Sequence, residues 1–163
     1  MKNKKNHKSL ETLLLAVLIL ILSSVCACLF FSCGGLFQSP PFILSAPECV
    51  LTSETGNFRF AGVKFSVWNA RQAEIKGITA VYSVYKDAQG GNPLCGKNIV
   101  TTDFDCTIAA GGCMQFESAL DAYISEIPET PYYIDFLYLK EVVYADGQKW
   151  SDNTGTFFVR GKK

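Results

Sequence analysis

The chain has 163 residues, of which 48% are hydrophobic and 13% are aromatic, with 15 basic and 15 acidic side chains. This length allows a single domain, and the aromatic content excludes a disordered chain. The balanced charge argues against a nucleic-acid partner, because contact with phosphates requires an excess of basic residues.

The first 32 residues predict an export segment, a signal peptide or an uncleaved signal anchor. Four lysines within the first eight residues precede an uncharged apolar run over residues 13–31. The run is longer than the core of most cleavable signal peptides and close to the ~20 residues of a membrane-spanning helix. Both alternatives leave the lysines in the cytoplasm and place the rest of the chain on the extracytoplasmic side.

The residues after this run resemble a bacterial lipobox, in which a signal peptidase cuts before a cysteine that then carries lipid. Ser32 precedes Cys33 and two glycines follow it, although Phe30 stands where the usual pattern has leucine. Cys28 is the alternative attachment site, but cleavage there would leave three apolar residues on the mature protein. We expect a protein of the bacterial cell envelope that meets the membrane through a lipid on Cys33 or through an apolar helix.

Export would bring the later cysteines into a compartment where disulfides form. The disulfide candidates are Cys49, Cys95, Cys106 and Cys113, which permit several connectivities or four unpaired thiols. They include no CxxC pair, and no histidine follows His7, so a zinc or haem site lacks its usual ligands. We therefore expect neither a metal nor a cofactor.

Residues 33–54 are expected to form the anchor and a proline-containing linker, and residues 55–163 a β-rich domain. Alternation of apolar and polar residues predicts strands over 58–68 and 78–86. Gly62 lies where the apolar set of the first strand changes face, which favours a bulge. The Asp-, Gly- and Asn-containing segment 87–93 is typical of a loop.

Later strands are predicted at 103–108 and at 114–120, around a turn at 109–112. The spacing of apolar residues over 115–127 fits a helix or a strand, and we expect a strand followed by a loop or short helix. The aromatic and β-branched residues of 132–145 give the strongest strand prediction.

The dipeptide Asp146-Gly147 predicts a hairpin with a two-residue turn, which would place Val143 opposite Trp150. A last strand or tail is expected at 156–159. About seven short strands in roughly 110 residues indicate an antiparallel β-sandwich.

Several short motifs carry a family resemblance. They are Asn69-Ala70, Ile75-Lys76-Gly77-Ile78, Tyr82-Ser83-Val84-Tyr85 before a glycine-containing loop, and the closing Y-x-D-G-x-x-W of Tyr144 to Trp150. Together they resemble small immunoglobulin- or fibronectin-type-III-like domains of secreted bacterial proteins and lipoproteins, over about residues 55–155. The chain departs from the pattern at Ala110-Gly111-Gly112, where Pro-Gly-Glu is usual, and in its extra cysteines. The resemblance implies an immunoglobulin-like sandwich and brings no catalytic residues.

The residues of the domain do not favour catalysis. Without a histidine, neither a Ser-His-Asp nor a Cys-His arrangement can form. Asp103 and Asp105 would share one face of a strand, where solvated carboxylates are commoner than a glycosidase pair or a calcium site. A small secreted enzyme or accessory using carboxylates or a Ser-Lys pair is the alternative, as is a carrier of an apolar ligand between the sheets.

Aromatic residues cluster around the last strands and favour binding. We expect one face of the strand at 132–145 to lie in the core and the other to be partly covered or exposed. Tyr133, Tyr138 and Phe158 are therefore the candidate docking surface for a protein or glycan of the envelope. The predicted function is that of an envelope-anchored, non-enzymatic binding or scaffolding protein.

Overall fold

A computed structural model describes residues 39–53 and 55–162 of the chain, and this part contains β-strands and no helix. It accordingly contains no helix able to cross a membrane. The strands in chain order are β1 (Phe42–Leu44), β2 (Glu48–Val50), β3 (Gly62–Asn69), β4 (Ile75–Tyr85), β5 (Ile99–Ile108), β6 (Cys113–Ala119), β7 (Tyr133–Tyr144), β8 (Lys149–Ser151) and β9 (Val159–Arg160).

The predicted export segment, 1–32, lies outside the described residues. The same holds for Cys33 and Cys28, the two predicted sites of lipid attachment. The described strands belong to one compact unit that begins at Pro40. Its two antiparallel sheets confirm the all-β, antiparallel part of the expected fold class.

In the first sheet β3 is the central strand. The two short strands β1 and β2 lie end to end along one edge of β3, β1 beside residues 67–69 and β2 beside residues 62–64, and β6 pairs along the other edge. The alternation predicted for this strand is confirmed from Gly62 onward. Val63, Phe65 and Val67 point inward and are at most 1% exposed.

In the second sheet the strand order is β5-β4-β7, and both β8 and β9 pair with the far edge of β7. The pairing of β4 with β7 shifts register at several points, each a bulge or irregularity. Inward-facing side chains from these two strands meet those of β3 in one core: Ala80, Tyr82, Val84, Leu137, Leu139 and Val142.

Aromatic rings and a small polar network fill the space between the sheets. Phe65, Phe104 and Phe116 contact one another with centroid distances of 5.0 to 5.9 Å. The buried Tyr82 hydroxyl lies 2.7 Å from Ser118 Oγ, which in turn lies 2.9 Å from the Thr102 hydroxyl. Burial raises the pKa of Tyr82 to about 12.

Two expectations about the boundaries change. The stretch expected as anchor and linker, 33–54, contains β1 and β2, whose side chains Phe42 and Cys49 belong to the core. Gly62 begins β3 and does not produce a bulge there. Its lack of a Cβ makes room for the Phe58 ring, since a Cβ would come within 2.5 Å of that ring.

The hairpin between β7 and β8 differs from the predicted one by one residue. Val143 pairs with Lys149, and Val142 pairs with Trp150. The turn therefore has three residues, 145–147, with Gly147 in the left-handed region at φ +78°. This register turns Trp150 toward Phe42, whose ring centroid lies 4.8 Å away.

The two ends of the sandwich are defined by the strand termini and connections that lie there. β1 starts where β3 ends, because Phe42 pairs with Asn69. We call this the proximal end, and it also holds the turn 109–112. The opposite end, which we call the distal end, is formed by the connections 86–98 and 120–132.

Candidate functional site

Aromatic side chains line the outer face of the second sheet. In β7, Ile134, Leu137 and Leu139 point into the core. Tyr133 and Tyr138 lie on the opposite, outer face and are half-buried. These two tyrosines belong to the docking surface predicted from the sequence.

Phe158 reaches the same outer face from the segment before β9. The next residue, Val159, packs against the core, and Phe158 itself is 46% exposed. The Arg160 guanidinium lies 5.5 Å from the centroid of the Phe158 ring and donates a hydrogen bond of 2.8 Å to Asp135. The structure thus brings the three predicted residues to one face of one sheet, where each keeps some exposure.

Phe136 extends this surface, which we call the aromatic face (Tyr133, Phe136, Tyr138 and Phe158). Simple alternation would turn Phe136 inward with Ile134, and sequence reasoning missed it for that reason. The register shift between Tyr82 and Val84 of β4 leaves Phe136 half-exposed, 6.2 Å from Tyr138 between ring centroids. A local bulge of this kind gives no signal in the apolar pattern.

A cavity of 270 Å³ opens at the distal edge of the aromatic face. Two of its walls are Tyr85 and Tyr133, which are paired across β4 and β7. The polar lining comes from Asp87, Asp135 and Gln89. We call this cavity the tyrosine slot, and we define it by these residues together with Ala88 and Gly90.

The loop wall of the tyrosine slot is held by its own hydrogen bonds. Asp87 forms a β-bridge with Gly90, and its carboxylate accepts a hydrogen bond of 2.9 Å from the Gln89 backbone N–H. Gly90 and Gly91 have φ of +115° and +84°, a region that glycine adopts without a Cβ clash. The conformation of this loop is therefore fixed by contacts within the loop itself.

Two larger grooves adjoin the slot at the distal end. One, of 390 Å³, shares Asp87, Ala88 and Tyr133 with the slot. The other, of 420 Å³, continues from it past Thr130 and Tyr132. The distal end therefore offers a connected series of surface depressions that starts at Tyr133.

The four predicted disulfide partners are free thiols. Cys49 lies in β2, Cys106 in β5, Cys113 at the start of β6 and Cys95 in a distal loop. The expected bridges are therefore not formed, because the fold does not bring any two of these four cysteines to disulfide distance. Burial raises the pKa of the Cys49 and Cys106 thiols, so both stay protonated at neutral pH.

Two residue pairs bear on the alternative of an enzyme, and sequence reasoning missed the first of them. Ser83 and Lys86 have the S-x-x-K spacing, but in an extended strand residues three apart face opposite sides, and Ser83 is buried. Asp103 and Asp105 are exposed on β5, where Asp103 accepts a hydrogen bond of 2.6 Å from the Thr79 hydroxyl. Across residues 39–53 and 55–162 no group of three His, Cys, Asp or Glu side chains could hold a metal ion.

Comparisons of this chain with protein-family models, with curated proteins and with solved structures found no match. The candidate site therefore has to be interpreted from its own geometry. That geometry offers aromatic surface, a small polar slot and hydrogen-bonding groups at its rim, which are the components of a binding site.

Proposed function

We propose that this protein is an envelope-anchored, non-enzymatic binding module with an immunoglobulin-like domain on the extracytoplasmic side of a bacterial membrane. The observation that carries the binding role is the aromatic face, where four large rings keep solvent exposure on one side of one sheet. Exposed aromatic side chains are enriched where proteins bind partners. The export role rests on the lysines and the apolar run of the first 32 residues.

The strand order supports the immunoglobulin-like part of the proposal. If β1 and β2 together count as the first strand, the first sheet has the order first-second-fifth. β8 and β9 likewise count as one last strand beside β7. The fourth strand, β5, pairs with β4, whereas in constant-type immunoglobulin domains the fourth strand pairs with the fifth. The arrangement differs from that fold by one strand changing sheets.

The chain path supports an anchor at one end and binding at the other. The polypeptide enters the domain at the proximal end, where Ala70 donates a hydrogen bond of 3.1 Å to the Pro41 carbonyl. The tyrosine slot and the Tyr133 end of the aromatic face lie at the distal end. An N-terminal anchor would therefore join the domain away from these surfaces.

The interior gives no support to the alternative of an apolar carrier. Phe65, Phe104 and Phe116 occupy the space between the sheets. In the same space the Tyr82 hydroxyl of the second sheet lies 2.7 Å from Ser118 Oγ of the first sheet, which is a hydrogen bond between the sheets. A bound apolar ligand would have to displace both groups, so recognition on the outer surface is favoured.

The anchor is tested by the intact mass and detergent phase partition of the full-length protein, for the parent and for Cys33→Ala. We expect the parent to lose residues 1–32 and to carry a lipid mass that the substitution abolishes, with Cys28→Ala as the matched control. An intact membrane-bound chain that is indifferent to Cys33→Ala would indicate an uncleaved anchor. A freely soluble parent would contradict membrane attachment.

The binding role is tested by a photo-crosslinking amino acid placed at Tyr138 of the full-length protein in bacterial cells. The control position is Gln115, which is exposed on the outside of the first sheet. We expect a discrete adduct with an envelope component from position 138 and none from position 115. Equal labelling at both positions, or none at either, would contradict a binding role of the aromatic face.

A further inference from the structure

We propose that the tyrosine slot binds one sugar ring of a glycan. This inference rests on the proposed binding function, because it names a ligand class for the distal edge of the same surface. Tyr85 and Tyr133 present two aromatic rings from paired positions of adjacent strands. A sugar ring combines C–H faces with hydroxyl groups at its edge, and so matches aromatic walls with polar groups at the rim.

The dimensions of the slot suit a single ring. Its volume of 270 Å³ is just below the ~300–1,000 Å³ of pockets that enclose drug-sized ligands. The slot opens to solvent, and its neighbouring groove of 390 Å³ shares the Tyr133 wall. One ring can therefore be held in the slot while the rest of a glycan chain follows the groove.

The carboxylates at the rim have capacity to accept hydrogen bonds from a ligand. Asp87 Oδ1 accepts from the Gln89 backbone, and Asp135 Oδ1 accepts from Arg160. Within the described ranges, the second oxygen of each carboxylate has no hydrogen-bond partner. Hydroxyl groups donate strongly to carboxylates, and the Gln89 side chain can both donate and accept.

The charge balance favours a neutral polyhydroxylated ligand over an organic cation. Arg160 neutralises Asp135 across 2.8 Å. Asp87 is the other carboxylate of the slot lining, so the slot carries about one net negative charge. An ammonium-binding aromatic cage relies on electrostatic attraction of the cation. Two tyrosine walls with this small net charge and with open carboxylate acceptors fit a polyhydroxylated ring better.

The walls are also prepared before binding, which reduces the entropy that a weak ligand has to overcome. Lys86 N–H donates to the Gly91 carbonyl at 2.9 Å and closes the loop onto the end of β4. Tyr85 and Tyr133 are half-buried at their strand positions. Ligand binding then requires few new constraints on the protein.

The test is isothermal titration calorimetry of the full-length protein in detergent micelles with soluble oligosaccharides of glucose, mannose, galactose or N-acetylglucosamine. We expect at least one of them to bind, and Tyr85→Ala and Tyr133→Ala each to weaken that binding about tenfold or more. Tyr133→Phe keeps the ring and should stay within about threefold of the parent. Thermal unfolding of each variant checks that the fold is intact.

Trp68→Ala is the matched control, because Trp68 is an aromatic residue of the first sheet that is 49% exposed and does not line the slot. We expect it to change oligosaccharide affinity by no more than about twofold. Asp135→Asn removes charge and keeps the shape of the side chain, and should weaken binding to an intermediate extent.

Three results would overturn the slot proposal: no oligosaccharide binding at millimolar concentrations, binding insensitive to both tyrosine substitutions, or binding of tetramethylammonium in place of every sugar. The proposed function would survive each of these if crosslinks still formed from position 138. If the crosslinks also failed, both proposals would fall.

Discussion

The proximal and distal ends of the sandwich are built differently. At the proximal end one buried side chain, Asn69, joins three segments: its amide donates to the carbonyls of Ala73, Ile108 and Ala109 at 2.9 to 3.2 Å. Its carboxamide oxygen accepts from the Arg71 backbone at 3.0 Å. At the distal end the loops enclose open cavities and are joined by separate hydrogen bonds, such as those of 2.9 Å from Cys95 N–H to the Tyr123 carbonyl and from Leu120 N–H to the Ala61 carbonyl.

This difference suggests that the proximal end serves attachment of the N-terminal segment and the distal end serves ligand binding. The end that receives the N-terminal segment is tied together by the buried polar contacts of Asn69. The far end combines half-buried tyrosines, such as Tyr133, with depressions that a ligand can enter. The contrast between the ends leads to four predictions about stability, ordered from the largest expected effect to the smallest.

Asn69→Ala should destabilise the domain by about 2–4 kcal/mol, because it leaves several buried backbone groups without a partner. Chemical denaturation of the full-length protein measures this, with the exposed Asn153→Ala as control. Affinity at the distal end should be unchanged once the variant is folded. A loss below about 1 kcal/mol would mean that this amide does not hold the proximal end together.

Asp121→Ala should cost about 1–2 kcal/mol, since this carboxylate organises the distal segment that leads into β3. It accepts hydrogen bonds of 2.7 Å from Arg59 N–H and 2.9 Å from Phe60 N–H. The control is Asp105→Ala on the exposed edge strand, for which we expect no measurable change. If both variants lost equal stability in denaturation, the distal loop would be held by general charge and not by these contacts.

Tyr82→Phe should lower the free energy of unfolding by about 0.5–1.5 kcal/mol at neutral pH. The substitution removes the hydroxyl that forms a hydrogen bond with Ser118 in the core, midway between the two ends of the sandwich. It should also alter the alkaline response. Tyr82 ionises near 10 when unfolded and with a pKa of about 12 when folded, so the folded state binds more protons over that window. Its stabilising contribution is complete below pH 10 and is lost as pH rises toward 12.

Denaturation curves from pH 8 to pH 12, which include the ~2-unit window between the two ionisations, measure this response. Tyr82→Phe should lose less stability on alkalinisation than the parent. Tyr138→Phe is the matched control, because Tyr138 lies on the outer face, away from the core network. Parallel curves for parent and Tyr82→Phe would contradict the assignment.

Arg71→Ala should have the smallest effect, about 0.5–1 kcal/mol, because the Arg71 side chain is partly solvated. Its guanidinium lies 4.5 Å from the centroid of the Tyr144 ring and donates to Gln148 in the proximal hairpin. Arg71→Lys keeps the charge and should recover part of the loss in thermal unfolding. An effect above about 2 kcal/mol would place Arg71 among the core contacts of the proximal end.

The parts of the fold with regular alternation could be predicted from sequence. β3, β4 and β7 each place an apolar side chain at nearly every second position, and this pattern dictates one buried face. β1 and β2 were not predicted as strands, because three-residue strands beside prolines have the composition of a linker. The hairpin register escaped because Asp146-Gly147 fits turns of two or three residues.

The site could be predicted only in part, for a related reason. Tyr133, Tyr138 and Phe158 follow from the excess of aromatic residues around the last strands. Phe136 depends on a bulge, and the tyrosine slot depends on the pairing of Tyr85 with Tyr133. Cross-strand register is a tertiary property that the local apolar pattern does not encode.

The most direct test of the two-ended account is amide hydrogen exchange of the full-length protein, alone and with the oligosaccharide panel. We expect slow exchange at the hydrogen-bonded proximal amides of Asn69, Gly111 and Ala145 in both conditions. Protection on adding oligosaccharide should be confined to residues 85–91 and 130–135. Fast exchange at the proximal amides, or ligand protection that falls at the proximal end, would contradict the account.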